Sequence, residues 1–171
     1  MNEQDGIDLA RSYFLTEQNM YGCAEATFIT LKEVFGLPEA SDSSAALGLN
    51  GGVAYSGGIC GALSGAALAI GMLAGQRIDD HKRAKRVARG IIARLMDEFQ
   101  EAYGSVDCRD LIGQDIRDEA EHRSFIESGI WRTRCMGQIE FSIKKLAVLG
   151  DEEGWEQIFS VRNTNDVVRL S

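Results

Sequence analysis

The sequence predicts an all-α protein, a single-domain helical bundle in which a glycine-rich loop leads into a buried Gly/Ala-rich helix. Three observations predict it. Apolar residues recur at intervals of three and four along most of the chain, one proline, Pro38, interrupts its whole length, and the segment from Gly48 to Gly75 holds nine of the nineteen glycines without a single charged side chain. With 171 residues and 44 % hydrophobic content the chain is long enough for one domain with a real core. We read that domain as residues 1–150, with 151–171 as a C-terminal extension packed on it.

Taken in order, Ile7, Ala10 and Phe14 mark an opening helix. Ala24, Phe28, Leu31 and Phe35 mark a second, which starts near Gly22-Cys23 and stops at Gly36-Leu37-Pro38. A Ser- and Asp-rich linker, Glu39 to Ala46, leads to Asn50-Gly51-Gly52 and Ser56-Gly57-Gly58, turn-forming clusters that tolerate positive φ. From Cys60 onward Gly61, Ala62, Gly65, Ala66 and Ala69 form a helix face so small that another helix, or a compact inorganic group, can approach its backbone at Gly61. Asp79 or Asp80 caps a long amphipathic helix with the stripe Ala84, Val87, Ile91, Leu95, Phe99 and Tyr103, ended by Gly104. Ser105 or Asp107 caps a short helix that ends near Gly113. Residues 114–129 read as loop plus a short helix, and Thr133 caps a helix from Arg134 to Leu149 with Gly150 as its stop. In the extension, Trp155, Ile158 and Phe159 offer packing groups, and Val167-Val168 suggests an extended end.

Net charge is −8 and the isoelectric point about 4.8, a poor basis for binding nucleic acid or an anionic membrane. The opening M-N-E-Q-D-G-I-D has no signal-peptide character, so a cytoplasmic location is expected. The uncharged run is dominated by Gly, Ala and Ser and reads as a buried helix, with no membrane insertion. Lys82, Arg83, Lys85, Arg86 and Arg89 make one basic face on the long helix. Such a run reads first as a solvated face, while cations in the first turns oppose the helix dipole, which slightly favours a use such as gripping an acidic partner.

Four cysteines, Cys23, Cys60, Cys108 and Cys135, are spread along the chain with no C-x-x-C pair. Each falls at or near the N-terminal end of a separate predicted helix. Helix starts supply spare N–H donors and partial positive charge, which lower a thiol pKa and hydrogen-bond to sulfur. Packing four such ends together requires negative charge between them, and four thiolates around a [2Fe–2S] core or around Zn²⁺ both supply it. Inert buried cysteines and a dithiol–disulfide pair, such as Cys60 with Cys23, are the competing readings. A phosphate-binding loop lacks its lysine and its preceding strand, and no histidine is placed by a motif next to a nucleophile.

The segments Asn19 to Ala26, Gly51-Gly52, Cys60-Gly61-Ala62-Leu63-Ser64-Gly65, Phe99 through Gly104 to Leu111, and Cys135 resemble the C_GCAxxG_C_C family, small helical proteins held to be redox-active. The resemblance covers about residues 5–149 and matches all four family cysteines. The family is similar to the split-Soret cytochromes, which carry an iron–sulfur cluster and haem. What the resemblance implies is cluster ligation by Cys23, Cys60, Cys108 and Cys135, electron transfer rather than stand-alone catalysis, and a homodimer. Haem is not implied, because there is no C-x-x-C-H sequence, and His81 and His122 lie in charged segments that read as surface.

Overall fold

The computed structural model describes residues 1–18 and 20–160. Helix α1, Glu3–Phe14, opens with a reciprocal cap: Asn2 accepts the Asp5 N–H, and the Asp5 carboxylate accepts the Asn2 N–H. Helix α2 spans Cys23–Val34 and ends, as its glycine predicts, with Gly36 at φ +64°. Every residue of α2 from Ala24 to Lys32 is buried, so this helix is the centre of the bundle. Even its lysine is enclosed: the Lys32 ammonium donates to the carbonyls of Glu39 (2.6 Å) and Asp42 (2.9 Å) and lies over the Phe28 ring, which ties the linker to the core.

Helix α3, Gly61–Arg77, packs on α2 through its small residues, and α4, His81–Tyr103, packs on the far side of α3. The close approach has a plain cause. A Cβ at Gly65 would collide with the carbonyl of Ala24 and lie 3.2 Å from its Cα, so only glycine allows this separation. Asp80 caps α4 by accepting the Arg83 N–H, and Ala84, Val87, Leu95 and Phe99 are buried. Two members of the predicted stripe depart from it: Ile91 is half-buried, and Tyr103 is exposed and donates to the Gly137 carbonyl.

The chain then forms α5, Cys108–Ile112, closed by Gly113 in the left-handed region, and α6, Glu119–Ser128, capped by Asp118. A 3-10 turn at Ile130–Arg132 precedes α7, Arg134–Leu146, which packs on α1 and α2. The expected helix to Leu149 stops three residues sooner, and Ala147–Gly150 continue as a 3-10 turn. Nor does Thr133 cap α7, since its hydroxyl donates back to the Ile130 carbonyl. Helix α8, Glu152–Ser160, buries Trp155 against the bundle. The Phe159 side chain and the Val167-Val168 segment lie outside the described residues.

These elements make an all-α architecture, and the described residues contain no strand beyond one isolated antiparallel bridge, Ile59 with Asp107. No described helix is long and apolar enough to cross a membrane. The glycine-rich loop is more unusual than its composition predicts. Five successive residues, Gly51 to Tyr55, have φ between +50° and +71°, making a left-handed turn through Val53, Ala54 and Tyr55 as well as the glycines. Left-handed backbone costs a non-glycine residue about 1–2 kcal/mol, so the turn is held by its surroundings. Gly57 and Gly58 donate back to the carbonyls of Gly51 and Gly52, at 3.0 and 3.2 Å, and close it.

Candidate functional site

All four cysteines stand at helix starts, as expected. Cys23 is the first residue of α2, Cys108 the first of α5 and Cys135 the second of α7, while Cys60 is the residue that precedes α3 and caps it, one position earlier than a first-turn placement. Burial acts on the groups together. Cys60, Cys108 and Cys135 are buried, and Cys23 is partly exposed as a residue although its sulfur is enclosed.

The bridge between Ile59 and Asp107 brings two of these helix starts together. Cys60 donates its N–H to the Val106 carbonyl (2.8 Å), and Cys108 donates its N–H to the Gly58 carbonyl (2.6 Å). Arg134, next to Cys135, donates to the carbonyls of Leu111 (3.4 Å) and Ile112 (3.3 Å) and so joins the start of α7 to the end of α5. Cys23 reaches the group through the α2–α3 contact, where its sulfur rests on the bare backbone of Gly61. Each of the other three thiols feels Cys23 electrostatically, and Cys60 also feels Cys108 and Cys135.

A polar scaffold fixes the start of α2. Gly22 has no side chain with which to cap the helix, and Asn50 from the glycine-rich loop does so instead, its Oδ1 accepting the Ala24 N–H at 3.0 Å. The Asn50 amide donates to Glu25 (2.8 Å), which is buried and also accepts from the Gly22 N–H (3.0 Å) and the Ser43 hydroxyl (2.9 Å). A Cβ at Gly22 would fall on the Asn50 side chain. On the other side, the Cys60 thiol donates to Gln138 Oε1 at 3.4 Å, and Gln138 is itself buried. Asn50, Glu25 and Gln138 carry no motif signal. The glycines beside Asn50 mark the loop, but nothing in the sequence says which helix its amide caps.

The expectation that helix starts lower the thiol pKa values is corrected by burial. Burial pushes the Cys23 thiol up, and hydrogen bonds from the backbone N–H groups of Gly51, Ala24, Cys23 and Gly61 offset this only in part. Cys60 is raised well above the usual thiol range by burial and then by Cys23, with the Ala62 N–H pulling the other way. Cys108 is pushed up to about 12 by burial and by Cys23, and Cys135 rises for the same causes plus Cys108, against the nearby Arg134. Desolvation and mutual repulsion therefore exceed the helix-end effect, and without a cation the group is held as neutral thiols.

Three of the cysteines, Cys23, Cys108 and Cys135, line a cleft of about 230 Å³. Its walls include Phe14, Trp131 and Phe125, and at its mouth stand Tyr55 and His122, ring centroids 5.3 Å apart. His122 thus departs from the surface reading: it is half-buried and lines the cysteine cleft, because Asp118 starts α6 where one turn carries the ring inward. His81 is exposed, as expected. Among the described residues no set of three or more His, Cys, Asp or Glu is arranged to hold a single metal ion.

Four cysteines, three of them buried, gathered at helix starts in a small all-α bundle are the arrangement of a cysteine-centred domain. The sequence pattern of the family described as "Putative redox-active protein (C_GCAxxG_C_C)" matches residues 21–149, and the chain belongs to that family. The match begins at Tyr21, so α1 lies outside it, whereas the resemblance read from the sequence starts near residue 5. No curated protein and no solved structure matches the chain.

Proposed function

We propose that Cys23, Cys60, Cys108 and Cys135 ligate an iron–sulfur cluster, of the [2Fe–2S] type, and that the protein passes single electrons as an accessory redox protein in the cytoplasm. The observation that carries this reading is the gathering of four cysteines from four separate helix starts, two of them joined by the Ile59–Asp107 bridge and a third resting on Gly61. The donor set fits the group. N–H donors to ligating sulfur and a desolvated surround are the levers by which a protein holds a cluster and sets its potential. A [2Fe–2S] core divides its four thiolates between two irons, so no three sulfurs need meet on one ion. A structural Zn²⁺ site would need all four on one centre.

When bound, such a cluster supplies one-electron chemistry. The chain supplies the rest. Gly61 leaves room against the Cys23 sulfur, the Asn50–Glu25 pair holds the start of α2, and Gln138 accepts from the Cys60 thiol. Purification without oxygen, followed by iron, acid-labile sulfide and zinc analysis and a visible spectrum, tests the reading. Iron and sulfide in equal amounts are expected. Zinc without sulfide, or a metal-free protein in which Cys23 and Cys60 cycle as a disulfide, overturns it.

A further inference from the structure

The cysteine cleft has an outer half that the thiols do not use. Phe14 and Trp131 meet edge to face at 5.4 Å in its wall, and Phe125 and Ile126 of α6 stand above it. Met20, Tyr55 and Ile126 line it while remaining 61, 47 and 44 % exposed, an apolar rim to the cleft. Helix α6 has no buried residue and packs mainly on the 3-10 turn at Ile130–Arg132, between the left-handed glycines Gly113 and Gly129. A ten-residue helix with so little core of its own is a roof over space rather than a wall of the bundle.

The chemistry of the lining narrows the occupant. Among the described residues no lysine or arginine lines the cleft, which gives the phosphates of a nucleotide cofactor no counter-charge there. The Glu25 carboxylate is already committed to Ser43, Asn50 and Gly22, which leaves no anion to hold a cationic ligand. The whole cleft, its cysteine end included, is below the usual range for drug-sized ligands, which restricts an occupant to a small molecule. Aromatic walls favour a planar partner, and His122 brings an imidazole to the mouth where a ring hydroxyl or carbonyl can hydrogen-bond.

We propose that the cleft between the Cys23, Cys108 and Cys135 sulfurs and the α6 roof binds a small, neutral, single-ring aromatic molecule of the quinone/quinol class. The use of such a ring as a redox partner rests on the reading given under Proposed function; its binding does not. Durohydroquinone, whose fully substituted ring resists thiol addition, is the probe, titrated anaerobically by calorimetry into the protein as purified and into metal-free protein. Saturable binding is expected in both. Ile126→Glu and Met20→Glu each place a carboxylate on the rim at an exposed position and are expected to weaken binding at least about tenfold, which is about 1.4 kcal/mol. Val148→Glu, an equally exposed apolar position outside the cleft, is expected to leave it unchanged. Absence of saturable binding to metal-free protein, or parent-like affinity in both rim variants, overturns the proposal. Iron and sulfide analysis of the same samples decides the cluster reading separately.

Discussion

Gly61 and Cys23 are in contact across the α2–α3 interface, and the contact tolerates no side chain: a Cβ on Gly61 would overlap the Cys23 sulfur and lie 2.9 Å from the Ala24 nitrogen. The glycine after Cys60 in C-G-A-x-x-G is therefore a requirement of a cysteine 38 positions away in sequence, and Gly65 keeps the same interface tight one turn later.

Gly61→Ala is expected to destabilise by about 1–3 kcal/mol through overpacking, against the slight gain that alanine gives an exposed helix position. It should also displace the Cys23 sulfur. Urea denaturation reads the first effect and iron content the second. A variant with parental stability and parental iron would show that the two helices are free to separate.

Asn50→Ala removes the group that caps α2 from outside and leaves the buried Glu25 short of a donor, and the expected cost is about 1–3 kcal/mol. Because Asn50 acts on the start of α2, hydrogen exchange at Ala24 should accelerate more than exchange in α4. Uniform acceleration would mean that Asn50 contributes only to global stability.

These two residues also show how far the sequence was legible. Helical periodicity and glycine stops placed most elements to within a few residues, since both are local signals. The cysteines could be put on helix starts for the same reason. What the sequence could not convey were contacts between elements: the Asn50 cap, the Gln138 acceptor and the inward turn of His122 all depend on how helices pack. The thiol pKa values went the other way because burial is a property of the assembled bundle, and a helix end seen alone counts only the favourable term. The left-handed Val53 to Tyr55 run was hidden because its residue types prefer other backbone conformations.

The pH dependence of the metal-free protein follows from the raised thiols. A thiol whose folded pKa lies above its unfolded value is protonated in the native state while the unfolded chain has already lost its proton. Stability is therefore full below the ordinary thiol value of 9.0 and falls as pH rises from there, for Cys108 as far as about 12. Denaturant midpoints measured between pH 8 and pH 11 should decline in the parent and decline less in Cys108→Ala. Equal slopes would show that Cys108 titrates alike in both states.

Val53 is exposed and β-branched at φ +66°, so Val53→Gly should relieve backbone strain. The gain expected is about 1 kcal/mol, less the entropy glycine restores to the unfolded chain. A loss of stability on thermal unfolding would show that the turn is bound by Val53 contacts.

Association bears on the proposed homodimer. Light scattering at low and high salt is expected to give twice the monomer mass in both, the behaviour of an apolar interface. A dimer lost at high salt would assign the contact to the exposed basic face, Lys82 to Arg89. A monomer at micromolar concentration in both would refute the dimer.

The bridge between Ile59 and Asp107 sets an order of events during synthesis. Cys60 and Cys108 are joined through backbone pairing, yet the strand-like partner at Asp107 leaves the ribosome only after the whole of α3 and α4, and Cys135 follows with α7. Non-local closures of this kind form late. Cys23 and Cys60 are thus made well before Cys108 and Cys135, and all four sulfurs can come together only once the start of α7 has been synthesised.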